Sequence, residues 1–414
     1  MGKKLNKNVP ESRFPEFKET LSLKYLGEIL DFKNGINADK SQYGSGKKFI
    51  NVLDIINDAP IYHDSIIGSV EITEQEFQNN NVIYGDILFQ RSSEIREESG
   101  QSNIYLDNNK EATFGGFVIR GRPKVSFNPI YFNYLLKTRS IRKEITDRSG
   151  GSTRFNVGQG SLSQVPILIC NSIAEQEKIA GFLGAVDARL TQLRRKRDRL
   201  QTYKRGVMQK IFSQEMRFRD AIGSPFPDWQ EKTLGEIAKV KRGASPRPIS
   251  SPKWFSTQSK IGWVRISDVT KSNKYLEETE QYLSEFGIEK SRFVLSGNLI
   301  MSICATIGKP IITNIDVCIH DGFVIFENLQ ASILFVYFLL EHIEIGWKRY
   351  GQPGIQLNLN TDIVSNEPVF LPCLEEQEKI VNFLTAIDRK IEAISRQLDR
   401  TEQFKKGLLQ KMFV

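Results

Sequence analysis

Two stretches of this chain repeat each other without a gap. Glu175-Gln-Glu-Lys-Ile-Ala-Gly-Phe-Leu-Gly-Ala-Val-Asp187 matches Glu376-Gln-Glu-Lys-Ile-Val-Asn-Phe-Leu-Thr-Ala-Ile-Asp388. Tyr203-Lys-Arg-Gly-Val-Met-Gln-Lys-Ile-Phe212 matches Phe404-Lys-Lys-Gly-Leu-Leu-Gln-Lys-Met-Phe413 at the same offset of 201 residues. Register held over so long a span marks a duplicated structural unit. Weaker echoes precede each stretch. Phe14-Pro15-Glu16-Phe17 matches Phe226-Pro227-Asp228-Trp229, and Leu26-Gly27-Glu28-Ile29 matches Leu234-Gly235-Glu236-Ile237. Gly85-Asp86-Ile87-Leu88 matches Gly297-Asn298-Leu299-Ile300, and Gly116-Phe117-Val118-Ile119 matches Gly322-Phe323-Val324-Ile325. The offset drifts from 212 to 201 along the chain, so these regions accept insertions that the long stretches do not. Variable loops on a fixed scaffold behave this way.

The strict repeats have a helical period. Ile179, Leu183, Val186, Leu190, Leu193, Leu200, Val207 and Ile211 alternate steps of three and four, interrupted by Arg197 and Lys204. Ile380, Leu384, Ile387, Ile391, Ile394, Leu398, Leu408 and Met412 do the same, interrupted by Thr401 and Lys405. A 3.5-residue period over roughly five heptads signals a coiled coil. Prolines precede each start (Pro166, Pro368, Pro372), with Ser172 or Glu375 as capping candidates. Each helix of about 38 residues would be ~57 Å long. Two matched seams in one chain fit an antiparallel pairing with each other; the period fits a dimer between chains as well. The first helix is strongly basic through Arg189, Arg194, Arg195, Lys196, Arg197, Arg199, Lys204 and Arg205. Such a run is either a solvated face or a surface for DNA or an acidic partner.

Ahead of each helix lies a mixed α/β segment, at about 14–172 and 220–372. Short β-rich runs recur at Lys48 to Leu53, Ile87 to Gln90, Phe117 to Arg120, Trp263 to Ile266, Leu299 to Ile303 and Phe323 to Phe326. Tyr131-Phe-Asn-Tyr-Leu-Leu and Phe335-Val-Tyr-Phe-Leu-Leu read as equivalent helices, the first opened by Pro129. Each segment carries a Gly-rich polar loop, Gly150-Gly-Ser-Thr-Arg-Phe-Asn156 and Gly351-Gln-Pro-Gly-Ile-Gln-Leu-Asn358. Glycines allow close backbone approach to a partner, and Arg154 or Gln356 suits a base edge; an ordinary surface loop fits the same composition.

Composition narrows the class. The 414 residues exceed one ordinary core. Apolar runs such as Ile333 to Leu340 are far shorter than the ~20 residues of a membrane span, so no membrane partner is expected. The N-terminus lacks the apolar stretch of a signal peptide, and only Gly2 resembles a lipidation start. Four scattered cysteines without Cys-x-x-Cys point to a reduced, cytoplasmic protein without structural zinc. A net charge of +8 favours a polyanionic partner.

Catalytic motifs fail on inspection. Gly44-Ser-Gly-Lys-Lys48 lacks the first glycine of a P-loop and has Lys48 where magnesium needs Ser or Thr. Asn128-Pro-Ile-Tyr131 lacks the second proline of the amino-methyltransferase tetrapeptide, and no Gly-rich cofactor loop precedes it. Pro227-Asp228 with Glu231-Lys232 has the wrong order for a nuclease site. His63, His320 and His342 have no metal spacing, and His320-Asp321 reads as structural. No chemistry of its own, no metal and no cofactor is expected.

The residues resemble the specificity subunits of type I restriction–modification systems. Ala174-Glu-Gln-Glu-Lys-Ile179 opens a long helix, and Tyr203-Lys-Arg-Gly-Val-Met-Gln-Lys-Ile-Phe-Ser213 closes it. Phe226-Pro-Asp-Trp-Gln-Glu-Lys-Thr-Leu-Gly-Glu-Ile237 is similar to the start of a recognition domain. Gly297-Asn-Leu-Ile-Met-Ser-Ile-Cys-Ala-Thr-Ile-Gly308 is similar to its central strand and loop. The resemblance spans nearly the whole chain and is weakest at Gln42 to Gln78 and Ser245 to Lys260.

It implies an α+β fold: two similar mixed α/β target recognition domains separated by two long helices. The helices would form an antiparallel intramolecular coiled coil with pseudo-two-fold symmetry, acting as a ruler for half-sites about one DNA turn apart. The expected divisions are a tail at 1–13, recognition domains at 14–172 and 215–372, and helices at 173–214 and 373–414. The implied partners are double-stranded DNA, two modification subunits carrying the methyl donor, and restriction/translocase subunits. Expected DNA contacts are Arg91, Ser92, Thr153 and Arg154 in the first domain, and Thr306, Lys309, Gln352 and Gln356 in the second. A coiled-coil scaffold without sequence-specific DNA binding is the alternative.

Overall fold

The computed structural model describes residues 9–350 and 358–413. The chain forms two compact units, Met1–Arg194 with Arg396–Val414, and Arg195–Ser395. Each unit therefore takes one globular segment and a part of both long helices. The helices run Ile173–Phe212 and Leu374–Met412. Ser172 Oγ accepts the Glu175 N–H at 3.3 Å at the first start. Glu375 lies inside the first turn of the second helix rather than at its cap, where the Cys373 carbonyl accepts Gln377 N–H at 3.0 Å.

In unit 1 an antiparallel sheet has the strand order Leu30–Asn34, Val118–Pro123, Ile87–Gln90, Ser102–Ile104. A second sheet joins Ser69–Val70, Tyr43–Ile50 and Thr113–Phe114. The strand Ser22–Tyr25 pairs with Pro166–Ile169, tying the start of the domain to the strand that leads into the long helix. Unit 2 repeats the plan. Lys239–Arg242, Phe323–Glu327, Leu299–Ser302, Pro310–Thr313 and Tyr275–Leu276 form one sheet, and Gln230–Thr233 pairs with Pro368–Leu371. Gln281–Tyr282, Gly262–Val264, Val317–Ile319 and Arg292–Val294 form another.

Local chemistry moves several element ends from the sequence expectation. The run from Lys48 is strand only to Ile50, because Asn51 caps a short helix at Val52: its Oδ1 accepts Leu53 N–H at 2.8 Å. The run from Trp263 stops at Val264, where Asp268 accepts the Arg265 N–H at 2.8 Å and opens a helix at Ile266. Gly44 to Lys48 lies within a strand; Tyr43 and Lys47 both face Val70 across a bulge, and Gly44 and Gly46 take positive φ there. Those glycines serve the bulge, not a phosphate. Asn128 caps the helix Pro129–Leu136 through Tyr131 N–H at 3.0 Å, as its equivalent Ser332 caps Ile333–Ile343.

Strand pairing also corrects one sequence equivalence. Gln90 faces Val118, and Ser302 faces Phe323. Gly35 N–H binds Val118 O, and Gly243 N–H binds Phe323 O. With Ile87–Gln90 matched to Leu299–Ser302, Val118 corresponds to Phe323, one residue away from the match suggested by Gly-Phe-Val-Ile. Likewise Arg13-Phe14 corresponds by contact to Arg217-Phe218: both arginines clamp the glutamate that opens a long helix, and the phenylalanines meet Phe182 and Phe383 edge-on. Residues 219–226, which hold the small Arg219–Pro225 bridge, are then an insertion, and part of the offset drift has its source there.

The strict helical repeats are explained by what they hold. Glu175 and Glu376 are buried and accept bidentate guanidinium bonds, from Arg13 at 2.6 and 2.7 Å and from Arg217 at 2.8 and 2.9 Å. The next residue is also buried. Gln176 accepts Asn128 N–H and donates to Cys170 O; Gln377 accepts Ser332 N–H and donates to Pro372 O. One glutamate and one glutamine thus lock each globular segment to its helix. The apolar seam is buried or half-buried along both helices; Ile179, Leu183 and Met412 join a core with Phe89 and Phe132 in unit 1, and Val207, Ile211, Ile380, Leu384 and Ile387 join one with Met301 and Phe338 in unit 2.

The lysines that interrupt the heptads are cross-helix ion partners. Lys405 meets Asp187 at 2.6 Å in unit 1, and Arg194 meets Glu402 at 2.8 Å, so the two helix segments run antiparallel. In unit 2 the equivalent pair is Lys204 and Asp388 at 2.9 Å. Surroundings differ. Asp187 also accepts the Tyr134 hydroxyl at 2.6 Å, whereas the equivalent Phe338 cannot donate and Lys274 reaches Asp388 at 2.7 Å instead. Lys204 also pairs with Glu341 at 2.8 Å. Burial pushes the Lys204 ammonium down, but Glu341 and Asp388 outweigh it and its pKa is raised. Asp388 is the more buried, its side chain 14% exposed against 37% for Asp187. Asp388→Asn, which takes the paired carboxylate from Lys274 and leaves Lys204 with Glu341, is expected to cost about 3 kcal/mol. Asp187→Asn is expected to cost about 1 kcal/mol. Urea midpoints of the two variants check the order.

Candidate DNA interface

In unit 1 the central strand Ile87–Gln90 delivers Arg91 and Ser92 at its end, and Ser92–Ser93 pairs with Phe155–Asn156. That small ladder folds the Gly-rich loop 150–154 beside them. Ser92 Oγ bonds Asn156 Oδ1, and Gly150 and Asn156 exchange backbone bonds at 2.8 and 2.9 Å. Val157 N–H binds Arg91 O at 3.0 Å. Arg91 is half-buried and donates to Gly116 O at 3.3 Å. Thr153 and Arg154 are exposed, with Arg154 3.8 Å from Glu94. All four expected residues of unit 1 therefore lie on one edge. Phe117, missed in the sequence, stands there 59% exposed, and its carbonyl accepts Arg91 N–H at 2.8 Å.

Unit 2 uses the same backbone bonds with other side chains. Leu359 N–H binds Ile303 O at 2.9 Å, as Val157 binds Arg91. Ile303 N–H binds Gly322 O at 2.8 Å, as Arg91 binds Phe117. Position 91 is thus arginine in one unit and isoleucine in the other. Thr306 and Lys309 lie in the turn after Leu299–Ser302, which closes through Gly308 N–H to Ser302 O at 2.8 Å. Gly308 has φ of +80°, and a Cβ there would meet Trp347 at 2.2 Å, so only glycine fits this turn. Both residues are half-buried. Lys309 Nζ donates to Thr270 O at 3.4 Å, and burial lowers its pKa. Gln352 and Gln356 lie outside the described residues.

The basic run on the first helix is mostly exposed, apart from the buried Lys204. Among the described residues no helix is long and apolar enough to cross a membrane, and no group of His, Cys, Asp and Glu could hold a metal ion. The four cysteines carry no disulfide, and burial pushes the Cys170 thiol up to about 11.

The family model for the type I restriction modification DNA specificity domain matches residues 18–201 and again 227–403. The chain belongs to that family. Its function is DNA specificity in a type I restriction–modification system, carried by two copies of the domain. The MjaX type I restriction enzyme specificity subunit of Methanocaldococcus jannaschii is 24% identical, over 97% of this chain and 95% of its own length. The MjaIX specificity subunit of the same organism is 23% identical over 98% and 95%. The crystal structure of a type I restriction–modification S subunit from M. genitalium shares the fold, with a TM-score of 0.58 at 16% identity over 98% and 99% of the two chains. A chain from a structural study of assembly and conformational transition in the type I system has a TM-score of 0.62 at 16% identity over 95% and 97%. The scaffold-only alternative is thereby set aside.

Arg154 is the most open of the expected unit 1 cations. Arg154→Ala is expected to leave the unfolding midpoint unchanged and to relax the base preference at one position by ~1–3 kcal/mol, the loss of one base-edge contact. Titration of the cognate duplex and of single-base variants, with the assembled complex, measures it.

Proposed function

We propose that each unit reads one half of a split duplex target through the loops gathered at the end of its central strand. The observation that carries this reading is the shared backbone with exchanged side chains: the same hydrogen bonds fix Arg91 and Ile303, and again Phe117 and Gly322. A common frame that presents different groups is what two unlike half-sites require. In unit 1 the readers are Arg91, Ser92, Thr153 and Arg154. In unit 2 they are Thr306, Lys309, Gln352 and Gln356. Lysines and arginines supply salt-sensitive, sequence-blind affinity, and each good bidentate base contact adds ~1–3 kcal/mol of discrimination. The recognition domains are 14–172 and 215–372, after a tail at 1–13, and the helices 173–214 and 373–414 carry two modification subunits.

The chain itself does no chemistry. Methyl transfer belongs to the modification subunits, and translocation and cleavage to restriction subunits, all acting in the cytoplasm. Methylome sequencing of cells with and without the gene, with its modification subunits supplied, tests this. The expected result is a bipartite adenine motif that appears only with the chain. An unchanged methylome contradicts the proposal.

A further inference from the structure

The turn that follows Val317–Ile319 in unit 2 has chemistry that its counterpart in unit 1 lacks. The strand register makes Gly115-Gly116-Phe117 equivalent to His320-Asp321-Gly322. Both turns close alike, with Val118 N–H on Gly115 O at 2.8 Å and Phe323 N–H on His320 O at 3.0 Å. Two glycines in one unit are therefore an imidazole and a carboxylate in the other.

These side chains line a cleft of about 290 Å³ together with Ser245, Arg247 and Arg265. The Ser245 hydroxyl binds Asp321 Oδ1, and Arg242 Nε holds the Asp321 carbonyl at 2.7 Å. The Ser245 hydroxyl also holds the Asp321 carboxyl below the usual range, so it is ionised at neutral pH. Arg247 is 80% exposed and lies 3.5 Å from Asp321 Oδ2. His320 is wedged against Trp263 and Phe323, with ring centroids at 5.8 and 4.8 Å. Gly322 N–H donates to His320 Nδ1 at 2.9 Å, which leaves the ring proton on Nε2; burial lowers the pKa of the ring and keeps it neutral. The cleft adjoins the reading loop, since Ile303 N–H and Cys304 Sγ both bind Gly322 O.

The cleft thus offers donors from Arg247, Arg265 and His320 around a single fixed carboxylate. In the major groove guanine presents two adjacent acceptors, N7 and O6, whereas adenine presents an acceptor beside a donor. A planar guanidinium fork with a carboxylate 3.5 Å away to orient it matches the first pattern. We propose that Arg247 reads the major-groove edge of a guanine in the half-site of unit 2, and that Asp321 is the residue positioning it. This rests on the reading that unit 2 binds duplex DNA. A carboxylate at a phosphate-rich surface costs affinity by repulsion, and orienting an arginine gives it a reason to be there.

The test is the methylated motif of cells producing the wild-type chain, Arg247→Ala, Arg247→Lys or Asp321→Asn with the modification subunits. Arg247→Ala is expected to relax one G·C position, in one half-site only, by about 5- to 100-fold in base preference. Arg247→Lys keeps the charge, loses the fork, and is expected to relax the same position. Asp321→Asn relaxes that position less, whereas a purely structural role would lower total methylation without altering any base preference. A wild-type split motif that all three variants leave unchanged overturns the inference and spares the parent reading. Relaxation of an A·T position, or of both half-sites together, also overturns it. A wild-type chain that yields no split motif overturns both.

Discussion

A buried carboxylate at the start of each long helix holds the structure together. Glu376 is fully enclosed, and its two oxygens receive Arg217, the Trp229 indole N–H at 2.9 Å and the Phe218 N–H at 3.3 Å. Glu175 is served by Arg13 in the same bidentate geometry. A buried charge is tolerated only when it is paired and its lone pairs are filled. That requirement fixes the arginine, the approach of the chain before each domain, and the helix turn that carries the glutamate. The adjacent Gln176 and Gln377 extend the lock to the first turn of a domain helix. No buried charge makes such a demand on Arg91, Thr153, Arg154, Thr306 or Lys309, which are exposed or half-buried.

Helix pairing obeys the same logic at a second place. A lysine in a heptad seam is a defect unless a carboxylate lies opposite. Antiparallel pairing brings Asp187 to Lys405 and Asp388 to Lys204, so each defect becomes a register mark. A parallel or slipped pairing would leave these charges buried without partners. The two junctions have diverged in their outer contacts, Tyr134 in one and Lys274 with Glu341 in the other, while keeping the central pair. The frame thus tolerates change around a site only where the charge remains satisfied.

Long-range order was legible in the sequence wherever a strict period or an unbroken register carried it. Both helices, their lengths and the interruptions at Lys204 and Lys405 follow from spacing alone. The loop 150–156 and the end of the central strand are identifiable as neighbours only through pairing of Ser92 with Asn156, which no local signal announces. Short glycine motifs misled in two ways. Gly44 to Lys48 imitates a phosphate loop because a β-bulge and an anion nest both need positive φ. Gly116-Phe-Val-Ile matches one residue out of register, since Gly322 stands where unit 1 has Phe117 and not where it has Gly116. That slip hid the equivalence of Gly115-Gly116 with His320-Asp321, whose polar pair was read as structural.

A frame sets stability, and the proposed reading loops set the DNA sequence. The most direct test alters the frame alone. Glu376→Gln removes the buried charge beneath unit 2 and touches none of the proposed readers. The methylated motif it directs, sequenced from cells below its unfolding temperature, is expected to keep the same bases in both half-sites while total methylation falls. A changed base preference in either half-site would contradict the separation of frame from reader.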